Sequence, residues 1–93
     1  MANAYGERYW LLDTAGTIMS NPVRVESMLW RPSAAAQTLT VKDTAADVIL
    51  DETSLAAAPA GEKAFYFGER GLQMNGFVLT TLTAGGYLHV YLA

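Results

Sequence analysis

The sequence predicts an all-β fold, an antiparallel β-sandwich of about seven or eight short strands, with jelly-roll connection as one way of joining them. Three observations carry this reading. Runs of β-branched, aromatic and aliphatic residues alternate with polar ones, Gly, Pro, Asn and Asp interrupt those runs at short intervals, and no stretch sustains the 3.6-residue period of an amphipathic helix. With 93 residues, the chain is long enough for one hydrophobic core and too short for two, so a single domain over 1–93 is expected.

Taken in order, Tyr9-Trp10-Leu11-Leu12 is a short apolar run halted by Asp13-Thr14-Ala15-Gly16, which reads as a first strand and a turn. Pro22 and Pro32 bracket a second strand, where proline fits because it cannot donate to a ladder. Within it Val23, Val25, Ser27 and Leu29 alternate with Arg24, Glu26, Met28 and Trp30. Thr38–Lys42 puts Leu39 and Val41 on one face, and Asp47–Asp51 follows after a short acidic and Ala-containing linker, the spacing of a hairpin with a four- to five-residue loop. The Ala-rich stretch 52–62, with Pro59 and Gly61, reads as a loop rather than a helix, although Ser54 has the chemistry of an N-cap. Ala64–Phe67 resumes an extended aromatic run, closed by Gly68-Glu69-Arg70-Gly71, and another strand begins at Leu72.

The final third carries the strongest local signal. Two strand-like runs, Gly76–Thr83 and Tyr87–Ala93, flank Ala84-Gly85-Gly86 and predict an antiparallel hairpin. Because successive strand residues point to opposite faces, Leu88, Val90 and Leu92 form a core-facing stripe and Tyr87, His89 and Tyr91 the opposite one. These signals leave the strand order open.

Composition narrows the function classes. There is no cysteine, which removes disulfides, thiolate metal sites and cysteine nucleophiles together. Six Lys and Arg stand against nine Asp and Glu, for a net charge of -3, and the basic residues are scattered at 8, 24, 31, 42, 63 and 70. Neither nucleic acid nor an anionic membrane surface is an expected partner, since both are held by clustered cations. No segment approaches the ~20 apolar residues of a membrane span, and the opening residues lack the basic-then-apolar pattern of a signal peptide. A soluble protein made in the cytoplasm is therefore expected. Hydrophobic residues make up 52% of the chain and charged ones 16%, against ~25% charged in an ordinary soluble domain. Part of the apolar surplus is expected on the outside, at an interface.

Nothing in the sequence assembles a catalytic or metal site. The one histidine, His89, lies mid-strand between tyrosines, without the nucleophile setting or orienting partner that triad chemistry needs. A single His and no Cys do not make a transition-metal site. Asp43, Asp47, Asp51 and Glu52 lack the ordered spacing of a calcium loop, and the first two read as turn residues. The Gly-containing loops lack the lysine and the following helix of a phosphate cradle. No cofactor and no enzymatic activity are expected. Aromatic anchors are enriched at protein interfaces, so the candidate contact residues are Tyr87, His89, Tyr91, Trp30 and Tyr66.

Four segments carry a family likeness: Glu7–Asp13, Leu29-Trp30-Arg31-Pro32, Thr40-Val41-Lys42-Asp43 and, above all, the stretch from Asn75 to Leu92. In strand and turn style, over most of its length, the chain resembles small structural proteins of tailed bacteriophages. The resemblance implies a virion component, foremost a β-sandwich decoration or cement protein on the capsid surface. Such a protein binds the major capsid protein or other virion proteins and assembles as a symmetric homo-oligomer, a trimer being favoured. The alternative is a tail- or fibre-associated adsorption module that binds host glycans through its aromatics.

Overall fold

A computed structural model describes residues 3–93, so the first two residues of the expected domain lie outside the described residues. Among the described residues ten strands form: β1 (Ala4–Tyr5), β2 (Tyr9–Leu12), β3 (Gly16–Met19), β4 (Val23–Arg31), β5 (Thr38–Lys42), β6 (Val48–Thr53), β7 (Lys63–Tyr66), β8 (Leu72–Met74), β9 (Phe77–Leu82) and β10 (Tyr87–Leu92). They build two antiparallel sheets. Sheet A runs β1-β2-β10-β4-β7, with β8 also paired to β4, and sheet B runs β3-β9-β5-β6. The expected all-β sandwich is present, and no helix occurs among the described residues. Leaving out the short β1 and β8, the order β2-β10-β4-β7 packed on β3-β9-β5-β6 is the double Greek key of a jelly roll. The two strands beyond the expected eight are β1, with two residues, and β3, whose Gly-Thr-Ile-Met sequence carries little alternation.

Jelly-roll winding overturns the strongest local expectation. β9 and β10 do not pair with each other: β9 lies between β3 and β5 in sheet B, and β10 between β2 and β4 in sheet A. Residues 83–86 form a corner that carries the chain across the sandwich, closed by the Gly86 amide donating to the Thr83 carbonyl at 3.2 Å, with Gly85 at φ 92. Thr83 is anchored to β5 by the Thr38 amide, which donates to its Oγ1 at 3.0 Å. A glycine-containing reversal specifies that the chain turns back, not whether the two strands finish side by side or face to face. Here the Phe77/Leu79 stripe and the Leu88/Val90 stripe are all fully buried, so each faces the shared interior from its own sheet.

The β5–β6 hairpin does form as expected, with Thr38 opposite Thr53 and Thr40 opposite Asp51. Its loop is held by Asp43, whose Oδ1 accepts from the amides of Ala45 (2.9 Å) and Asp47 (3.0 Å), while Ala46 takes φ 66. That is an Asx-type turn, in which a buried carboxylate replaces water for two amides.

Two bulges set which residues reach the core. In β4 the register against β10 shifts between Ser27 and Val25, which leaves Glu26 as the extra residue. Val25 and Met28 consequently both point inward, and Trp30 follows Met28, so the single alternation expected for this strand is broken in the middle. In β9 the shift falls at Thr80, which lets Leu79 and Leu82 both face the interior. The core joins the sheets through Trp10 and Phe77, which meet edge-to-face at 5.5 Å, and through Leu12, Leu39, Val41, Met74, Leu88 and Val90, all at most 1% exposed. Each such aliphatic side chain contributes about 1.5–3 kcal/mol by leaving water.

At one end of the sandwich the connections 20–22, 43–47 and 75–76 meet: Gly76, at φ 93, packs against Thr44 and the Met19 carbonyl, and the Thr44 hydroxyl and amide both donate to the Asn75 carbonyl. At the other end, the 32–37, 54–62 and 83–86 loops are stitched together. The Ala58 amide donates to the Pro32 carbonyl (2.8 Å), and Ser54 Oγ donates to the Ala34 carbonyl (2.6 Å) while accepting from the Gln37 amide (2.9 Å). Ser54 thus serves as a loop anchor, and the loop is 54–62 rather than the expected 52–62, because β6 runs on through Glu52 and Thr53 paired with Leu39 and Thr38.

Candidate functional site: the outer face of sheet A

Side chains directly opposite in antiparallel strands share a face, so the register assigns both sides of sheet A. Trp10, Val90, Met28 and Phe65 align in one inward row. One step along each strand, the outward rows follow. Tyr9, Tyr91, Ser27 and Tyr66 form the first, and Leu11, His89, Leu29 and Ala64 the second. Tyr87 lies opposite Arg31 at the margin.

The result is a broad aromatic and aliphatic surface across four strands. Tyr9 is 38%, Tyr66 68%, Tyr87 37% and Tyr91 40% exposed, with Leu11, Leu29 and His89 half-buried between them. The two central rows contain no permanently charged side chain. Charge enters at the margin, where Arg31 Nε pairs with Glu62 Oε1 at 2.6 Å. The outer face of sheet B is chemically different, with Thr17, Val78, Lys42 and Val48 in one row and Thr81, Thr40 and Asp51 in the next. Threonine and charge dominate there, so the apolar surplus of the composition is concentrated on one side of the sandwich.

At the centre of the sheet A face is a three-ring cluster. Tyr9 and Tyr91 lie 5.1 Å apart with planes tilted 38°, and Tyr9 and His89 lie 5.9 Å apart at 27°. The Tyr9 hydroxyl and His89 Nδ1 are 2.5 Å apart. For a neutral imidazole the phenol donates and Nδ1 accepts, which places the ring proton on Nε2. Partial burial, and then the Arg31 guanidinium, hold the His89 imidazole below its ordinary 6.5, while Glu62 acts in the opposite direction. Burial and the neighbouring Tyr91 phenol push Tyr9 above its usual value.

Of the five contact residues expected from sequence, four lie on this outward face: Tyr87, His89, Tyr91 and Tyr66. Trp30 does not. It is 1% exposed, opposite Leu88 and Lys63 in the inward layer, and its indole N–H is buried without a partner. The bulge at Glu26 and the large apolar ring together place it in the core. Sequence reasoning also left out Tyr9, Leu11 and Leu29. In Tyr9-Trp10-Leu11-Leu12 every residue is apolar or aromatic, which hides the alternation, and the one available signal is the phenol of Tyr9, which needs a polar neighbour.

The carboxylates weighed as oxygen ligands diverge. Asp43 is buried in its turn, Asp51 faces outward beside Thr40 (3.3 Å), and Glu52 pairs with Lys63 Nζ at 3.0 Å. An open cleft of about 260 Å3 adjoins the aromatic face at the stitched end, lined by Arg31, Pro32, Ser33, Ala57, Gly85 and Tyr87. Compared with known proteins, the chain matches no family model, no curated protein and no solved structure.

Proposed function

We propose that this protein is a non-enzymatic structural component of a bacteriophage virion, a capsid decoration or cement protein that binds the shell. In this reading the outer face of sheet A joins copies of the chain into the symmetric oligomer that sits on the particle. The observation that carries the reading is the uncharged Tyr9/Tyr91/Tyr66 and Leu11/His89/Leu29 surface, set against a threonine-rich opposite face. Flat apolar faces of this kind are stable in water when another surface covers them. A chain of net charge -3 repels its copies wherever its charges meet, and least across the rows that carry none. Jelly rolls serve capsid and lectin domains alike, a fold-level analogy in keeping with the resemblance to phage structural proteins.

The test is quantitative mass spectrometry of purified virions of the phage that encodes the chain. A copy number comparable to that of the major capsid protein is expected, and absence or a handful of copies overturns the reading. The exposed tyrosines beside the open cleft favour a second reading, a glycan-binding adsorption module, since pyranose rings stack on such aromatics. Binding on a glycan array, together with a low copy number per virion, would select it.

A further inference from the structure

We propose that the contact between two copies across the outer face of sheet A is gated by His89, tight while the imidazole is neutral and released when it takes up a proton. This rests on the copy-to-copy reading above and adds its regulation.

The geometry makes His89 the one group able to do this. It is the only histidine in the chain, and it lies in the middle of the face, directly opposite Leu11 on β2 and Leu29 on β4. The titratable and charged groups around it are Tyr9 from β2, Tyr87 and Tyr91 from its own strand, Arg31 from β4 and Glu62 from the loop before β7. Of these side-chain types, imidazole is the one whose ordinary charge change falls between pH 5 and 8. Tyr9 donates to Nδ1 of the neutral ring at 2.5 Å, so the added proton enters at Nδ1 and the Tyr9 hydroxyl then accepts from it, while the exposed part of the half-buried ring meets whatever covers the face. A covering copy removes the water that would hydrate an imidazolium and supplies, from the same two rows, phenols, the Ser27 hydroxyl, Leu11, Leu29, Ala64 and a second imidazole, with no carboxylate among them. The charged form is then penalised in the complex relative to the free chain. Burial and Arg31 already disfavour that form in the free chain, so the neutral, binding-competent state prevails at neutral pH.

The linkage has a definite size. A contact in which both copies present this face is two-fold and isologous, makes a dimer rather than the trimer that the resemblance favours, and buries His89 from both copies. Below the free-chain pKa, the dissociation constant then rises by up to about a hundredfold per pH unit, or about tenfold if only one of the two imidazoles is fully covered. Above that pKa it does not change.

Sedimentation equilibrium of the full chain and of His89→Gln at pH 7.5 and 5.0, with circular dichroism to confirm that both stay folded, tests the proposal. The expected result is association at pH 7.5, a Kd raised at pH 5.0 by up to about a hundredfold for each pH unit below the free-chain pKa, and no such rise in His89→Gln. Association of equal strength at both pH values overturns the gate and leaves the contact standing. A folded monomer at both pH values overturns the contact and the gate with it. If His89→Gln does not fold, an NMR titration of the unmodified chain decides: the His89 midpoint must fall when the protein concentration is raised above Kd, by reciprocity of the linkage. A midpoint independent of concentration overturns the proposal.

Discussion

Neighbouring residues of β10 provide a direct test of which face is core and which is contact. Leu88 is 0% exposed and lies opposite Leu12 and Trp30, while Tyr91 is 40% exposed and lies opposite Tyr9 and Ser27. Leu88→Ala removes buried methyl groups and leaves a cavity between two packed sheets, which costs about 2–5 kcal/mol. In a domain of this size that lowers Tm by roughly 10–30 °C. Tyr91→Ser removes a ring that keeps two-fifths of its surface in water, and loses chiefly its packing on Tyr9 at 5.1 Å. Aromatic pairs of this kind are worth about 0.5–1.5 kcal/mol, so a change of about 1 kcal/mol and a few degrees is expected. Urea melts of dilute monomer give the stabilities, with m unchanged in both variants. Sedimentation at higher concentration gives the association, which Tyr91→Ser weakens and which Leu88→Ala leaves intact wherever that variant is folded. A loss of about 3 kcal/mol or more in monomeric Tyr91→Ser, matching Leu88→Ala, would show that the tyrosine belongs to the core and refute the face assignment.

Other predictions concern the loops and the titration. Asp43→Ala strands the Ala45 and Asp47 amides and is expected to cost about 1–3 kcal/mol by chemical denaturation, whereas Asp43→Asn, which keeps an acceptor oxygen in place, recovers most of it. Gly76→Ala combines a strained φ of 93 with a Cβ crowded by Thr44 and 2.9 Å from the Met19 carbonyl. A loss of about 2 kcal/mol or more in denaturant stability follows, and an unchanged midpoint would contradict the packing of that end. Ser54→Ala removes the hydroxyl that ties the 32–37 loop to the end of β6, with an expected cost of about 1–3 kcal/mol and faster amide exchange at Gln37. For pH, the folded chain holds His89 below the value it has when unfolded, so the unfolded state binds the proton first. The stabilising difference is complete above pH 6.5 and is lost as pH falls through the folded value. Denaturant midpoints of monomeric wild type and His89→Gln, compared at pH 7.5 and 5.0, should therefore shift against the wild type on acidification; a shift in its favour would reverse the sign of the argument.

Part of the candidate site was legible in the residues alone. The alternation of Tyr87-Leu88-His89-Val90-Tyr91 requires only that one face be buried, and the aliphatic side is the one that gains by burial. Asp43 could be read as a turn residue because its carboxylate reaches amides two and four positions on. Trp30 failed as a surface residue for the opposite reason. Its position in the alternation depends on whether an extra residue sits at Glu26, and a bulge is a property of the paired strands rather than of either strand's sequence. Tyr9, Leu11 and Leu29 join the site through register with β10, which no local pattern expresses.

The sequence by itself determined that this is a β protein, where most strands begin and end, and which stripe of its last strand seeks the core, because period-2 alternation and turn chemistry act over a few residues. The tertiary structure alone decided the rest. A glycine corner serves a hairpin and a sheet-crossing arch equally well, and β9 and β10 part into different sheets because each finds two lateral partners elsewhere: β3 and β5 for one, β2 and β4 for the other. Those long-range pairings bring Tyr9 and His89, eighty residues apart, to within 2.5 Å, and they turn scattered apolar residues into one continuous face.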